Sequence, residues 1–318
     1  KPYNKNVSVQ RIFSHIKFAK DAFDYINSLV KEPEIIYVVL PPNSLAKNAI
    51  EYKQNHNVKI IFDIMDLWPE AYTMGNSKLN LLLNTWRKLR SSSLSKADFI
   101  ITECNYFQKS IAQELNSVKN DTLYLSKPDS GTEIKPVLSE KNFDILYLGS
   151  INTIIDIDII VDFLFELNSK KKVIFHIIGD GESREKLIKQ LSKFNIDYIY
   201  HGVIYDSFKK QEIIDKCHFG MNIMQENIAV GLTMKSIDYF QFGLPIINNI
   251  KEDTEAIVKN NRIGFNIRKE NISTVVDEIH GLTNEQIKEM KYTSVKVFEN
   301  LFSYDSFTKK MDNIFSKI

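Results

Sequence analysis

Residues 144–181 read DILYLGSINTIIDIDIIVDFLFELNSKKKVIFHIIGDG, and this stretch decides the fold class. Asp144–Leu148 and Lys172–Ile178 are short and continuously apolar rather than alternating. Strands of that kind are covered on both faces, as in a parallel sheet flanked by helices. Between them, residues 156–169 place apolar side chains at helical spacing. Each strand ends on glycine, in Gly149-Ser150 and in Gly179-Asp180-Gly181. In an open α/β sheet, ligands sit at the C-terminal ends of the strands, and glycine there lets a phosphate approach the backbone. Taken singly, each turn is equally the mark of a plain connection.

Outward from this stretch the alternation continues. Further strands are expected at Glu34–Val39, Val58–Asp63, Asp98–Thr102, Asp121–Leu125, Tyr198–His201, Phe219–Met224, Pro245–Asn248 and Gly264–Ile267. Helices are expected at 15–31, 43–55, 78–95, 105–116, 182–194, 207–217, 233–242, 253–260, 271–280 and 284–300. The pattern predicts doubly wound α/β sheets. Residues 127–142, with two Pro and one Gly among polar residues, read as a linker. The expected division is 1–126, linker 127–142, 143–303, and a last helix 304–318 that packs on either domain.

Composition narrows the class. The chain has 318 residues, 43% hydrophobic and 25% charged, which suits a globular protein of two domains. Lys+Arg 41 against Asp+Glu 40 supplies no global basic field, so no nucleic-acid partner is expected. Cys104 and Cys217 read as reduced, packed thiols. The opening Lys1-Pro2-Tyr3 carries no apolar signal-peptide region. The histidines show no ligand spacing, and no metal is assigned.

The sharpest segment is 230–247, VGLTMKSIDYFQFGLPII. A glycine-containing loop leads into a helix whose first backbone N–H groups, at Leu232, Thr233 and Met234, have no partner within the helix. Such an end is a natural anion site, and Lys235 adds a full charge beside it. Asp238 lies at i, i+3 from Lys235. A cation for a diphosphate and a carboxylate for a ribose diol fit that pair; so does a solvated surface ion pair.

The segments LYLGS, HIIGDGESREKL, YHGV and GLTMKSIDYFQFGLPII, in this order, resemble the donor-binding domain of GT-B glycosyltransferases. They are most similar to the large retaining bacterial family, glycosyltransferase family 4-like, whose members build capsule, O-antigen and exopolysaccharide. FDIMDLWPEAY, at 62–72, resembles a segment of that family's acceptor domain. The resemblance implies an α/β protein of GT-B architecture, two Rossmann-like doubly wound domains facing a cleft. It implies a cytoplasmic, metal-independent hexosyltransferase without a cofactor, on the inner face of the plasma membrane. Its donor would be a nucleoside-diphosphate sugar and its acceptor lipid-linked or an oligosaccharide.

Site roles follow from the same resemblance. Gly149 and Ser150 match the turn at the donor phosphate, and Gly179, Asp180 and Gly181 a second turn lining the donor site. Gly202 and Val203 match the loop that reads the base. Gly231, Leu232 and Thr233 match the loop over sugar and phosphates. Lys235 and Asp238 match the family's phosphate lysine and second acidic residue. Asp66 is placed with these two as catalytic, and Asp63, Asp66 and Trp68 lie on the acceptor side.

The departures are specific. Val230 stands where the family's first glutamate falls, with Glu226 four residues earlier. The basic residues that follow the first donor strand are absent, leaving Ser150-Ile151-Asn152. The family's leading strand and glycine-rich loop have no counterpart before residue 34. Two rivals stay open: a non-catalytic GT-B-like subunit that stabilises a partner transferase, and a sugar-nucleotide epimerase. Finally, 71–97 has basic residues, no acidic one, and an apolar stripe through Leu79, Leu82, Trp86 and Leu89. It is expected to meet an anionic membrane surface, or simply to pack its stripe on the sheet.

Overall fold

The computed structural model describes residues 9–67 and 77–318, with backbone alone at 9 and 77–83. Trp68, and Pro69 and Tyr72 beside it, lie outside the described residues. The chain divides into two units. The first comprises residues up to Tyr124 together with Lys309–Ile318, and the second Leu125–Thr308.

The first unit alternates helix and strand: α1 (Val9–Asn27), β1 (Ile35–Leu40), α2 (Asn43–Lys53), β2 (Lys59–Ile64), α3 (Ser77–Leu94), β3 (Phe99–Thr102), α4 (Asn105–Ser110), α5 (Ala112–Leu115) and β4 (Asn120–Thr122). The helix expected over 105–116 is broken at Ile111, whose backbone leaves the helical region. The four strands are parallel in the order β1-β2-β3-β4. Ile60, Ile61, Phe62, Ile64 and Phe99–Ile101 are buried, as continuous apolar strands require.

The second unit contains β5 (Phe143–Leu148), α6 (Ile157–Lys170), β6 (Val173–Ile178), α7 (Arg184–Lys193), β7 (Asp197–Gly202), α8 (Ser207–Ile214), β8 (Phe219–Asn222), α9 (Met234–Gln241), β9 (Ile246–Asn248), α10 (Asp253–Asn261), β10 (Gly264–Asn266), α11 (Ile272–His280) and α12 (Asn284–Leu301). The strands are parallel in the order β10-β9-β8-β5-β6-β7. The order therefore reverses between β5 and β8. Alternate residues of β5 and β6, Phe143, Ile145, Tyr147, Val173, Phe175 and Ile177, enter one core with α6, α7 and α11. A last helix, α13 (Tyr304–Phe315), starts in the second unit and ends in the first, where Lys310 and Lys317 each lie 3.3 Å from Asp121.

Residues 127–142 belong to the second unit and are tied to it along their length. Lys127 N–H donates to the Phe302 carbonyl, Thr132 Oγ1 bonds Gln211, and Val137 N–H donates to the Asp215 carbonyl. The segment is polar in sequence because its hydrogen bonds are made to the unit's surface rather than within a strand or helix.

Candidate functional site

Ligands of an open α/β sheet bind where the strand order reverses, outside the C-terminal ends of the strands. In the second unit that point lies between β5 and β8, flanked by the Gly149 turn after β5 and by α9 after β8.

The turns after β5 and β6 interlock. Gly149 N–H donates to the Ile178 carbonyl and Ile151 N–H to the Asp180 carbonyl. Gly179 has φ +142°, and a Cβ there would lie 1.9 Å from the Gly149 carbonyl oxygen. At Gly181 a Cβ would lie 2.3 Å from the Ile151 carbonyl oxygen. The two turns approach that closely only because these positions lack side chains. Asp180 closes the second turn by accepting from Gly181 N–H at 2.7 Å and from Arg184 Nη1 at 3.0 Å. Gly202 accepts from Gly179 N–H through its carbonyl, so the expected base loop is fixed to the second turn. Val203 beside it is exposed.

Helix α9 begins one residue later than expected. Thr233 is its N-cap, and Thr233 Oγ1 accepts from Ser236 N–H at 3.1 Å. The first-turn donors without a helix partner are therefore Met234 and Lys235, not Leu232 and Thr233. Leu232 is buried instead, and the Gly231 carbonyl accepts from Thr254 N–H and Thr254 Oγ1.

Lys235 does not pair with Asp238. Asp238 is ion-paired with Lys127 of the 127–142 segment. Lys235 runs to the first turn: its Cε lies 3.3 Å from where a Gly149 Cβ would stand. Its Nζ donates to Tyr147 Oη at 2.7 Å and lies 4.0 Å from the centre of that ring. Burial lowers its pKa to about 7, and no carboxylate offsets that cost. Tyr147 in turn donates to the Ser150 carbonyl at 2.7 Å. Tyr239 Oη accepts from Leu148 N–H at 2.9 Å and donates to the Met221 carbonyl at 3.0 Å, pinning α9 across β5 and β8.

The sequence reading missed Tyr147 and Tyr239, because an aromatic inside an apolar strand or helix reads as core. The available signal was a phenol two residues before a strand-ending glycine. Ser150 is exposed, Val230 half-buried and Glu226 exposed.

The remaining candidates belong to the first unit. Asp63 is inside β2, buried, and accepts from Tyr37 Oη at 2.5 Å; burial raises its pKa. Asp66 follows the C-terminal end of β2 and is half-buried. In α3 the burial of Trp86 fits the alternative of a packed stripe, and one basic residue is buried with it. Trp86 is buried, and Arg90 is fully buried with Nη2 3.7 Å from Glu114. Arg87 and Lys88 are exposed.

Among the described residues, no group of three or more His, Cys, Asp or Glu side chains is placed to hold a metal ion. Asp156 of the Asp156-Ile157-Asp158 triplet caps α6 by accepting from Ile159 N–H. Also among the described residues, no helix is long and apolar enough to cross a membrane. Cys104 and Cys217 are buried and not disulfide-bonded.

No protein-family model and no curated protein matches the chain. Solved structures do. Sucrose-phosphate synthase from Thermosynechococcus elongatus matches with a TM-score of 0.72 at 11% identity, covering 100% of this chain and 81% of that one. The lipopolysaccharide outer core galactosyltransferase WaaB matches with a TM-score of 0.69 at 16% identity, covering 99% and 83%. Anabaena HepE, solved in complex with UDP, matches with a TM-score of 0.69 at 11% identity, covering 95% and 81%. The fold is the α/β, GT-B type with two parallel sheets.

Proposed function

We propose that the chain is a glycosyltransferase that uses a nucleoside-diphosphate sugar and binds the donor diphosphate at the C-terminal ends of β5 and β6. The observation that carries this reading is Lys235, delivered to the Gly149 turn beside the strand-order reversal with no carboxylate partner. A half-buried lysine without a counter-ion is held at a cost in desolvation, and an anion offsets that cost. Two of the similar structures support the same class: one is a galactosyltransferase, and another was solved with UDP.

In this reading the leaving diphosphate gains charge in the transition state. Lys235 and the free N–H groups of Met234 and Lys235 stabilise it where that charge develops. Asp238 keeps its pair with Lys127, and its remaining acceptor capacity holds the ribose diol. Gly202 and Val203 read the base, and Gly231–Thr233 lie over the sugar. Asp66 and Trp68 belong to the acceptor side, whereas Asp63 serves the first unit's interior through Tyr37. The finer reading is a retaining, metal-independent hexosyl transfer to a lipid-linked or oligosaccharide acceptor of a cell-surface polysaccharide. Arg87 and Lys88 are then the α3 residues left to meet anionic lipid.

Calorimetric titration of UDP and GDP into wild type and Lys235→Ala tests the donor site. The mutant should bind ten- to a hundredfold more weakly, since a hydrogen bond to a charged group is worth roughly 1.5–3 kcal/mol. Equal affinities would remove Lys235 from the site. A second reading, a non-catalytic subunit, is favoured by Val230 in place of a glutamate. Release of nucleoside diphosphate from a nucleotide sugar in multiple turnovers by the purified protein excludes it.

A further inference from the structure

Two other cations of this protein, both fully buried, face groups that carry full or partial negative charge. Arg90 lies 3.7 Å from Glu114, and Lys291 donates to the Ile214 and Cys217 carbonyls at 2.9 and 3.0 Å. Lys235 has a phenol. The titratable groups on the elements around it are engaged elsewhere. On its own helix, Asp238 pairs with Lys127 and Tyr239 bonds Leu148 and Met221. In the turn after β6, Asp180 pairs with Arg184.

Tyr147 is fully buried, and burial raises its pKa far above the usual phenol range, so it stays protonated. Its one proton goes to the Ser150 carbonyl, and its oxygen lone pair takes the Lys235 amine. A single hydroxyl therefore sets both the backbone of the first turn and the amine beside it.

We propose that Tyr147 is the positioning residue of this anion site, and that Lys235, held on it, takes up a proton from solvent when a diphosphate binds. The inference deepens the donor-site reading and rests on it for the ligand. Its chemistry is distinct: a Lys235 held among neutral groups is largely uncharged above pH 7, and the incoming anion supplies the counter-charge that recharges it.

Two measurements test it. The first needs no ligand. In the protein labelled with 13C at lysine Cε, the resonance lost in Lys235→Arg should titrate with a midpoint near 7. In Tyr147→Phe that midpoint should fall, because the hydroxyl accepts a hydrogen bond from the charged form. A midpoint above 9 in wild type, or one unmoved in Tyr147→Phe, overturns the inference whatever the nucleotide does.

The second is titration of UDP at pH 8 in buffers of different ionisation enthalpy, where the diphosphate is itself fully ionised. Wild type should take up close to one proton (about 0.9), and its affinity should fall roughly tenfold per pH unit above that point. Lys235→Arg, charged at every pH used, should take up none. Tyr147→Phe should bind roughly three- to tenfold more weakly at pH 7, with a pH profile moved to the acid side. A loss equal at every pH would make Tyr147 merely a packing residue. UDP binding without proton uptake sinks this inference and leaves the donor site standing; no binding of UDP or GDP sinks the donor reading, and the lysine titration still decides the role of Tyr147.

Discussion

The two units are built from the same repeating strand and helix, yet among the described residues only the second brings interlocked glycine turns and a lysine without a carboxylate partner to its strand ends. In the first, the order β1-β2-β3-β4 runs straight through among the described residues; in the second it reverses between β5 and β8. Residues 1–124 contain one glycine, Gly75, and the other ten of the chain's 11 lie beyond. The reversal parts the connections on either side of β5, and the glycines let the turns after β5 and β6 close on each other beside that gap. Cations follow the same division. Arg90 in the first unit is paired inward with Glu114, while Lys235 in the second is kept over a turn with only a phenol. A common fold thus yields packing in one place and an unsatisfied charge in another.

The sharpest way to break this comparison is at Gly179. A methyl there meets the Gly149 carbonyl oxygen at 1.9 Å, and φ +142° is strained for any L side chain. Gly179→Ala should destabilise the protein by more than about 3 kcal/mol, through overpacking and backbone strain together. Gly202→Ala has φ +69° but open space around its Cβ, and should cost only about 1–2 kcal/mol. Denaturant unfolding of the two variants compares them; equal losses would mean that the interlocked turns are not under steric constraint.

In the first unit the matching test is Arg90→Met. Removing the fully buried guanidinium leaves its interior contacts unmade and the half-buried Glu114 without its ion-pair partner, and about 1–3 kcal/mol should be lost. Arg87→Met and Lys88→Met, on the exposed side of the same helix, should stay within about 0.5 kcal/mol. If Arg90→Met unfolds no more easily than these two, Arg90 is not an interior contact, and the basic side of α3 returns as a surface feature.

Much of this contrast was legible in the sequence. All ten expected strands are found, because continuous apolar runs between glycine turns leave little choice when both faces must be covered. The turns after β5 and β6, and Lys235 beside them, were legible for the same reason: glycine and an isolated cation at strand and helix ends are local signals. The partner of Asp238 was not. The i, i+3 spacing suggested Lys235, and a lysine 111 residues earlier, Lys127, took its place. Helical spacing shows which side chains are close along a helix, not what a distant segment brings to it. Arg90, one of the basic residues of 71–97, was misjudged similarly, since an amphipathic stripe does not say how far burial extends round the helix; the burial of Trp86 fits the expectation of a packed stripe.

Acid acts on the second unit through another buried group. His218, fully buried before β8, accepts from Asp144 N–H through Nδ1 at 3.0 Å, which requires that nitrogen to be unprotonated. Burial lowers its pKa from 6.5 to about 4. Between those values the unfolded chain binds the proton that the folded unit refuses, so stability rises with pH from 4 to 6.5 and is lost on the way down. The loss at pH 4 should be on the order of 3 kcal/mol. His218→Asn, whose amide oxygen can replace Nδ1 as acceptor, should flatten that slope. A wild-type unfolding midpoint independent of pH across this window would show that His218 is charged in the fold.

The smallest effect should come from the pair that displaced the expected one. Lys127 and Asp238 have side chains 22% and 26% exposed, so water screens their attraction and side-chain ordering opposes it. A double-mutant cycle with Lys127→Met and Asp238→Asn should give a coupling of less than about 1 kcal/mol in stability. The pair's influence should instead appear in binding. Without Lys127, Asp238 is free to turn toward Lys235 one helical turn away, and the cation meant for a diphosphate gains a competing carboxylate. Lys127→Met should therefore weaken UDP binding by roughly two- to fivefold, and Asp238→Asn in the same background should recover part of that loss. If Lys127→Met leaves UDP affinity unchanged, the 127–142 segment contributes anchoring alone, and the isolation of Lys235 is due to β5 and α9.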